Sequence, residues 1–283
     1  MADSVAQPNA AQIAHWNAAA GETWVALQDQ LDAQIAPLGR RAIDALAPQT
    51  GERIVDIGCG CGQTSLQLAE ATGPHGRVLG LDVSRPMLAV ARARAAALPA
   101  GEVDFREGDA QVHAFEPASI DAVYSRFGVM FFADPTAAFG NLRRALRPGG
   151  RLAFVCWRGL GDNPWMRVPL TAALQHLHPP PPPNPTAPGP FALADGERVR
   201  SILEGAGFQD ITVSPHDQQI GHAGLDQTVA LALRVGPLGA LLREQPEQQP
   251  RVAEAIREAV RPFLTPDGVR MDSATWIVRA HAP

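Results

Sequence analysis

The chain of 283 residues has few cysteines, few aromatic side chains and no long apolar run. Its three cysteines are too few for a disulfide framework, so we expect a reducing, cytoplasmic compartment. No stretch of ~18 consecutive apolar residues occurs, so no membrane span is expected. The N-terminal residues also lack the basic-then-apolar order of a secretion signal.

Positive charge is sparse and scattered along the chain. The 24 Lys and Arg residues are outnumbered by 29 Asp and Glu residues, which leaves a net charge of −5. No basic block is present that could follow a phosphate backbone, so we expect no nucleic-acid partner. Apolar residues make up 46% of the sequence, which is enough for a sizeable core.

Strand and helix patterns alternate from Arg53 to Val155. This rhythm predicts parallel crossovers, and therefore an α/β fold with a doubly wound, mostly parallel sheet. Residues 1–10 carry no pattern and are expected to be disordered. Helices are expected near 63–72, 84–97, 135–147 and 195–206, helical segments over 225–262, and later strands near 209–214 and 276–280.

A glycine-rich turn follows the first strand of this region. Residues Val55 to Gly62 read VDIGCGCG, and an amphipathic helix pattern follows them. Such a turn lets the backbone approach a ligand and directs free N–H groups and a positive helix end towards it. A dinucleotide fingerprint would need a third glycine where Gln63 stands. A nicotinamide cofactor stays open as an alternative at this point.

Acidic residues end the next two strands of the pattern. Asp82 ends the second strand, Asp109 follows the third, and Asp56 ends the first before its glycines. Together with the later segments LRPGGRL (146–152) and EGAGF (204–208), this order resembles the Rossmann-like S-adenosylmethionine-dependent methyltransferases. The resemblance is to their small-molecule branch, which includes ubiquinone- and menaquinone-biosynthesis enzymes.

The resemblance implies a seven-stranded sheet with an antiparallel last strand, and S-adenosylmethionine as the cofactor. It places Asp82 on the ribose hydroxyls and Asp109 near the adenine amine. The residues expected at the cofactor are Asp56, Gly58, Cys59, Gly60, Thr64, Asp82, Val83, Met87, Gly108, Asp109, Ala110, Ser125 and Arg126.

Three segments fall outside the alternating core and are expected to cover the acceptor. We divide the chain into an N-terminal helical cover (1–50), a cofactor-binding core (51–214, with a lid insertion at about 158–190) and a helical insertion with closing strand (215–283). The proline run 179–183 would act as a stiff spacer. The residues expected at a small, partly apolar acceptor are Trp16, Trp24, Phe131, Trp157, Trp165 and His176.

No catalytic residue or metal ligand is assigned from the sequence. Cys59 and Cys61 form a C-x-C pair without a second pair nearby, so no metal site is expected. No Asp-His or Lys-Asp spacing identifies a general base, and the lone His15 and His222 are more typical of surface or capping residues. The acceptor atom and the oligomeric state stay open. An NAD(P)-dependent oxidoreductase and a non-catalytic cofactor-binding protein remain the alternatives.

Overall fold

A computed structural model describes residues 8–96, 103–179, 184–221 and 223–283. Most of the proline run and His222 lie outside these ranges. The strands are β1 Arg53–Ile57, β2 Arg77–Asp82, β3 Val103–Glu107, β4 Ile120–Arg126, β5 Leu146–Trp157, β6 Gln209–Ile220, β7 Leu264–Thr265, β8 Gly268–Val269 and β9 Met271–His281. The helices are α1 Ala10–Trp16, α2 Ala19–Ala26, α3 Gln28–Leu46, α4 Gln63–Thr72, α5 Arg85–Ala95, α6 Pro135–Ala145, α7 Pro164–Ala173, α8 Gly196–Gly205, α9 Leu225–Ala232, α10 Gly236–Glu244 and α11 Gln249–Val260.

The main sheet has seven strands in the order β3-β2-β1-β4-β5-β9-β6. Its strands run parallel except for β9, which is antiparallel to both β5 and β6. The expected doubly wound sheet with an antiparallel last strand is therefore confirmed. The chain reverses direction across the sheet between β1 and β4, and open α/β sheets form a ligand crevice at the carboxyl ends of such strands.

The two strands at the β6 edge are longer than the sequence pattern predicts. β6 continues past Ser214 to Ile220, and β9 begins at Met271 rather than at 276, because the two pair over this whole length. The added half of β6 is mostly polar and at least partly exposed, except for the buried Ile220 at its end. Hydrogen bonding to β9 maintains it without an apolar repeat, so the sequence boundary placed at 214 falls within a strand.

The N-terminal helices have different relations to the sheet. Leu38, Ala42 and Leu46 of α3 are almost fully buried in the main core. The Tyr124 hydroxyl of β4 also donates a hydrogen bond to the Gly39 carbonyl of α3 at 2.9 Å. By contrast, α1 has no buried residue. α3 is therefore part of the sheet's helical layer, and α1 and α2 form the cover proper.

The C-terminal insertion has a hydrophobic core of its own. It joins α7, α9, α10 and α11, with Ala173, Val252, Ile256 and Val260 fully buried at its centre. Among the described residues, no single helix is long and apolar enough to cross a membrane. The α9–α10 pair meets that test only jointly and is bent by 66°.

Candidate functional site

The glycine turn after β1 has backbone that a side chain would disturb. Gly58, Gly60 and Gly62 all have positive φ, at 66°, 55° and 85°. A Cβ on Gly58 would lie 2.6 Å from the Cα of Gly128, the residue that follows β4 by two positions. The missing side chains let the ends of β1 and β4 touch, and this contact forms the floor of the crevice.

Asp56 lies behind this turn rather than in the crevice. Its Oδ2 accepts hydrogen bonds from the hydroxyls of Thr64 and Ser65, both at 2.7 Å. Burial raises the pKa of Asp56 to about 6, and the two hydroxyls oppose that shift. Asp56 and Thr64 therefore anchor α4 to β1 beneath the turn, and neither lines the cavity described below.

Asp82 is fastened to the glycine turn by backbone donors. Its Oδ2 accepts a hydrogen bond from Gly60 N and its Oδ1 from Ser84 N, both at 2.8 Å. Burial raises the pKa of this carboxyl, and the hydrogen bonds from Ser84 and Gly60 work in the opposite direction. The carboxylate lines the crevice.

Asp109 has an N-terminal partner that the sequence pattern did not reveal. Asn9 Nδ2 donates to Asp109 Oδ1 at 3.0 Å, and Asn9 Oδ1 accepts from Ala133 N at 2.7 Å. Asn9 is 5% exposed, so the expected disorder of residues 1–10 is wrong for Asn9 and Ala10. Asp109 Oδ2 and Gln12 Oε1 are buried and have no protein partner among the described residues. Both residues line the crevice.

A second N-terminal contact lies at the end of β2. Asn17 Nδ2 donates to Val83 O at 2.7 Å, and Asn17 Oδ1 accepts from Arg85 N at 2.9 Å. The Ser84 hydroxyl donates to Trp16 O at 2.8 Å. Residues 9–17 thus contact both strand-end segments that carry the predicted cofactor acids.

A buried ion-pair network joins α3 to the end of β4. Arg126 Nη2 lies 2.8 Å from Asp32 Oδ1, and the two side chains are only 9% and 7% exposed. Arg94 Nη1 lies 3.2 Å from Asp32 Oδ2 and also donates to Cys61 O at 3.0 Å. Arg126 also donates to the Gln63 side chain. The network holds the Arg126 side chain at the cavity wall.

One cavity of about 260 Å³ runs along the crevice. Of the residues expected at the cofactor, those lining it are Gly58, Cys59, Gly60, Asp82, Val83, Met87, Gly108, Asp109, Ala110 and Arg126. Of those expected at the acceptor, Trp16, Trp24, Phe131, Trp157 and Trp165 line it. Their binding roles stay predictions.

Two expected site residues besides Asp56 and Thr64 lie away from the cavity wall. Ser125 is fully buried, and its hydroxyl donates to Ile57 O at 2.7 Å, so it joins β4 to β1. His176 is exposed after α7 and does not line the cavity. Its place in the acceptor set has no support from this geometry.

Aromatic side chains form a large part of the cavity lining. Trp16 packs edge-on against Phe131 and Trp24, with ring centroids 5.2 and 5.9 Å apart. Trp157 and Trp165 lie 5.1 Å apart by centroid. These rings come from the N-terminal cover, the β4–α6 connection, β5 and α7, so four separated segments supply aromatic rings to the cavity lining.

The sequence argument missed several lining residues. Leu31 of α3 packs with Leu231 of α9, and this contact joins the N-terminal cover to the C-terminal insertion beside the cavity. The helical pattern over 225–262 placed an insertion over the site, but nothing in that pattern distinguishes Leu231 or Leu238 from their neighbours. Asn9 and Gln12 carried no signal at all, since a lone amide in the sequence does not indicate its partner.

The two cysteines of the turn are buried free thiols. Burial raises the pKa of Cys59 well above its ordinary value and that of Cys61 to about 12, so both stay protonated at neutral pH. Within the described ranges, no group of three or more His, Cys, Asp or Glu side chains could hold a metal ion.

Comparison with known proteins identifies the family. A family model described as "Methyltransferase domain" matches residues 54–150. A 2-phytyl-1,4-naphtoquinone methyltransferase from Synechococcus elongatus is 34% identical over 222 residues, which cover 77% of this chain and 90% of that protein. Nocamycin O-methyltransferase from Saccharothrix syringae is 37% identical over 116 residues, 41% of each chain. Across four of its curated relatives, the matched segment spans only 33% to 54% of the relative's length.

A solved structure supports the fold. Phosphoethanolamine N-methyltransferase 2 from Haemonchus contortus, in complex with S-adenosyl-L-methionine, superposes with a TM-score of 0.54 at 21% identity. The match covers 87% of this chain and 52% of that one. At this identity the likeness concerns the fold alone. The naphthoquinone enzyme, however, is matched over nine-tenths of its length, so this chain belongs to the Rossmann-like S-adenosylmethionine-dependent methyltransferases.

Proposed function

We propose that the protein transfers a methyl group from S-adenosylmethionine to a small, partly apolar acceptor. The observation that carries this proposal is one cavity lined by two chemically different sets of residues. Strand-end acids and the glycine turn supply the polar set, and aromatic side chains supply the apolar set. A polar cofactor and an apolar acceptor would therefore meet beside the turn.

The polar lining residues fit the adenosine part of the cofactor. Asp82 Oδ1 and Oδ2 each accept one backbone hydrogen bond, and a carboxylate oxygen has a second lone pair for a ribose hydroxyl. Asp109 lines the same cavity, and its carboxyl group is a hydrogen-bond acceptor of the kind that the adenine amine needs. Gly60 presents bare backbone at the same place.

When bound, S-adenosylmethionine supplies an electrophilic methyl group on a sulfonium. The protein's contribution is to hold the acceptor in line with that group and to exclude water. The titratable side chains among the described lining residues cluster around the turn and the strand ends: Asp32, Cys59, Cys61, Asp82, Asp109 and Arg126. We therefore assign the acceleration to positioning and desolvation and name no general base.

Calorimetry with S-adenosylhomocysteine tests the cofactor assignment. Asp82→Ala removes a charge-assisted acceptor worth about 2–4 kcal/mol, so its Kd should rise roughly thirty- to a thousandfold. Asp104→Ala is the matched control, because Asp104 lies on β3 and pairs only with the exposed Arg106. A Kd for Asp82→Ala within threefold of the wild type would refute the ribose assignment.

Two further measurements separate this function from its alternatives. NADH should not bind where S-adenosylhomocysteine does, and the reverse result would favour the oxidoreductase. The second measurement distinguishes an enzyme from a binding protein. It follows the transfer of tritium from methyl-labelled S-adenosylmethionine into an organic-extractable product, over a panel of phenols, enols and amines.

A cytoplasmic location is part of the proposal, because all three cysteines are buried free thiols. Cell fractionation tests this location.

A further inference from the structure

A groove separate from the cavity lies between α3 and the strands β6 and β9. Its lining residues are Arg41, Asp44, Ala45, Thr212, Ser214, Pro215, His216, Ile277 and Arg279, and none of them lines the cavity. Thr212 pairs with Arg279 across the two strands, and eight residues further along, Ile220 pairs with Met271 at the cavity wall. At about 3.3 Å per strand residue, these two pairs lie roughly 26 Å apart. Even His216 is about 13 Å from Ile220 along the strand by the same measure.

Three elements bring the polar side chains of this groove together. Thr212, Ser214 and His216 are alternate residues of β6, so they point to one face of the sheet. Arg279 pairs with Thr212 on the neighbouring strand, and paired side chains share a face. Arg41 belongs to α3, which packs against β6 and β9. Residues distant in the sequence therefore line one groove.

Arg279 has no acidic partner in this groove. Its Nε donates only a long hydrogen bond of 3.4 Å to Thr212 Oγ1, and it forms no ion pair with any described residue. Arg106, an exposed arginine at the opposite edge of the sheet, lies 2.7 Å from Asp104. A guanidinium carries several N–H donors and no acceptor, so most donors of Arg279 are available to a ligand.

Arg41 is held loosely by the one carboxylate of the groove. Its Nη1 lies 3.7 Å from Asp44 Oδ2, and both side chains are more than half exposed. A charge-assisted hydrogen bond would be about 2.7–2.9 Å long, and exposed pairs of this kind contribute little. The groove thus presents two guanidinium groups and several neutral donors against a single, weakly engaged acid.

We propose that this groove binds a small phosphate monoester. The phosphate oxygens can accept hydrogen bonds from Arg41 and Arg279 at once, because guanidinium groups match the geometry of such oxygens. The lining hydroxyls of Thr212 and Ser214 supply neutral donors. The organic part of the ligand contacts the apolar lining residues Ala45, Pro215 and Ile277. This site shares no residue with the cavity and does not depend on the proposed function.

The test follows phenyl phosphate by phosphorus NMR at pH 8, where it is a dianion because the second pKa of a phosphate monoester is about 6. The wild type should show saturable binding with a Kd below about 10 mM. Arg279→Gln removes a charged donor and should raise this Kd about tenfold. Arg106→Gln is the matched control, because it removes the same charge from an exposed strand residue at the opposite edge of the sheet and should leave the Kd unchanged.

Asp44→Asn should act in the opposite direction. It removes the carboxylate that competes for Arg41, so the Kd for phenyl phosphate should fall about threefold, whereas damage to the fold would not tighten binding. Inorganic phosphate lacks an organic part and should bind more weakly than phenyl phosphate. Saturation with S-adenosylhomocysteine should leave the Kd for phenyl phosphate unchanged, because the groove is separate from the cavity.

Any one of five results would overturn the proposal. They are no saturation below about 10 mM, equal effects of Arg279→Gln and Arg106→Gln, no gain in affinity with Asp44→Asn, equal affinities for inorganic phosphate and phenyl phosphate, and displacement of phenyl phosphate by S-adenosylhomocysteine. If S-adenosylhomocysteine does not bind at all, the proposed function fails by itself, and the variants still decide the role of the groove.

Discussion

Replacing Asn9 should weaken the predicted adenine subsite through the hydrogen bond that Asn9 makes to Asp109. Its side chain donates to Asp109 Oδ1 and accepts from Ala133 N, while Gln111 N is the second donor to Asp109 Oδ1. Asn9→Ala removes one of the hydrogen bonds to the Asp109 carboxylate and lets this side chain rotate. A hydrogen bond to a charged group contributes about 1.5–3 kcal/mol. We expect roughly half of that to appear in ligand affinity, because the free protein relaxes, and so a Kd about tenfold higher.

Titration calorimetry with S-adenosylhomocysteine and with adenosine measures this effect. Because the lost bond orients the adenine-binding acid, the affinity loss should be equal for the two ligands. Asn184→Ala is the control, since Asn184 is exposed and its side chain accepts hydrogen bonds from nearby Thr186, away from the cavity lining. An unchanged Kd for Asn9→Ala, or a loss seen with S-adenosylhomocysteine but absent with adenosine, refutes the reasoning.

The Asn9→Asp variant adds a pH readout that a purely structural role would not produce. It places two carboxyl groups within hydrogen-bond distance, and two such groups ionise together only at a cost. At acidic pH the pair can share a proton and reproduce the original donation to Asp109. The affinity loss should therefore be larger at pH 8 than at pH 6, whereas a loss independent of pH contradicts the assigned contact.

Three other substitutions test the support beneath the site, each by urea unfolding. In the folded protein the pKa of Asp56 is raised from 3.8 to about 6, so folding favours the protonated carboxyl. The free energy of unfolding of the wild type, relative to that of Asp56→Asn, should therefore fall by up to ~3 kcal/mol as pH rises from 4 to 7. A difference that does not change with pH would contradict this. Asp32→Ala leaves the buried Arg126 guanidinium without its carboxylate partner and should lower the free energy of unfolding by about 3–5 kcal/mol. Adding Arg126→Met should restore part of this loss. If the single variant is as stable as the wild type, the pair has no structural role. Gly58→Ala should lower the free energy of unfolding more than Gly51→Ala does. Both glycines have positive φ, but only at Gly58 would the added Cβ clash with backbone, that of Gly128. Equal losses would mean that the close contact between Gly58 and Gly128 is dispensable.

The mostly parallel sheet could be inferred from the sequence because its signals are local. Alternating helix and strand patterns imply parallel crossovers, and parallel strands present their carboxyl ends at one edge of the sheet. Asp82 and Asp109 could therefore be assigned to the same crevice as the glycine turn without knowledge of any contact. Gly58 and Gly60 carried the same kind of signal, since glycine in a strand-to-helix turn indicates positive φ or close approach.

Side-chain direction could not be inferred in the same way. Ser125 and Arg126 are neighbours at the end of β4, and successive strand residues point to opposite faces. Arg126 lines the cavity, whereas Ser125 turns inward to the β1 carbonyl of Ile57. Asp56 likewise points beneath the turn, because Thr64 and Ser65 offer it hydroxyl donors there.

The sequence by itself determined the fold class, the glycine turn and the acids at the strand ends, since each depends on residues close together in the chain. Only the tertiary structure decided what closes the site. Asn9 reaches Asp109 across 100 positions and Asp32 reaches Arg126 across 94. Such contacts depend on how whole helices pack, and no spacing in the sequence encodes them. For the same reason, packing alone left the N–H of Trp165 without a partner among the described residues and gave that of Trp276 one.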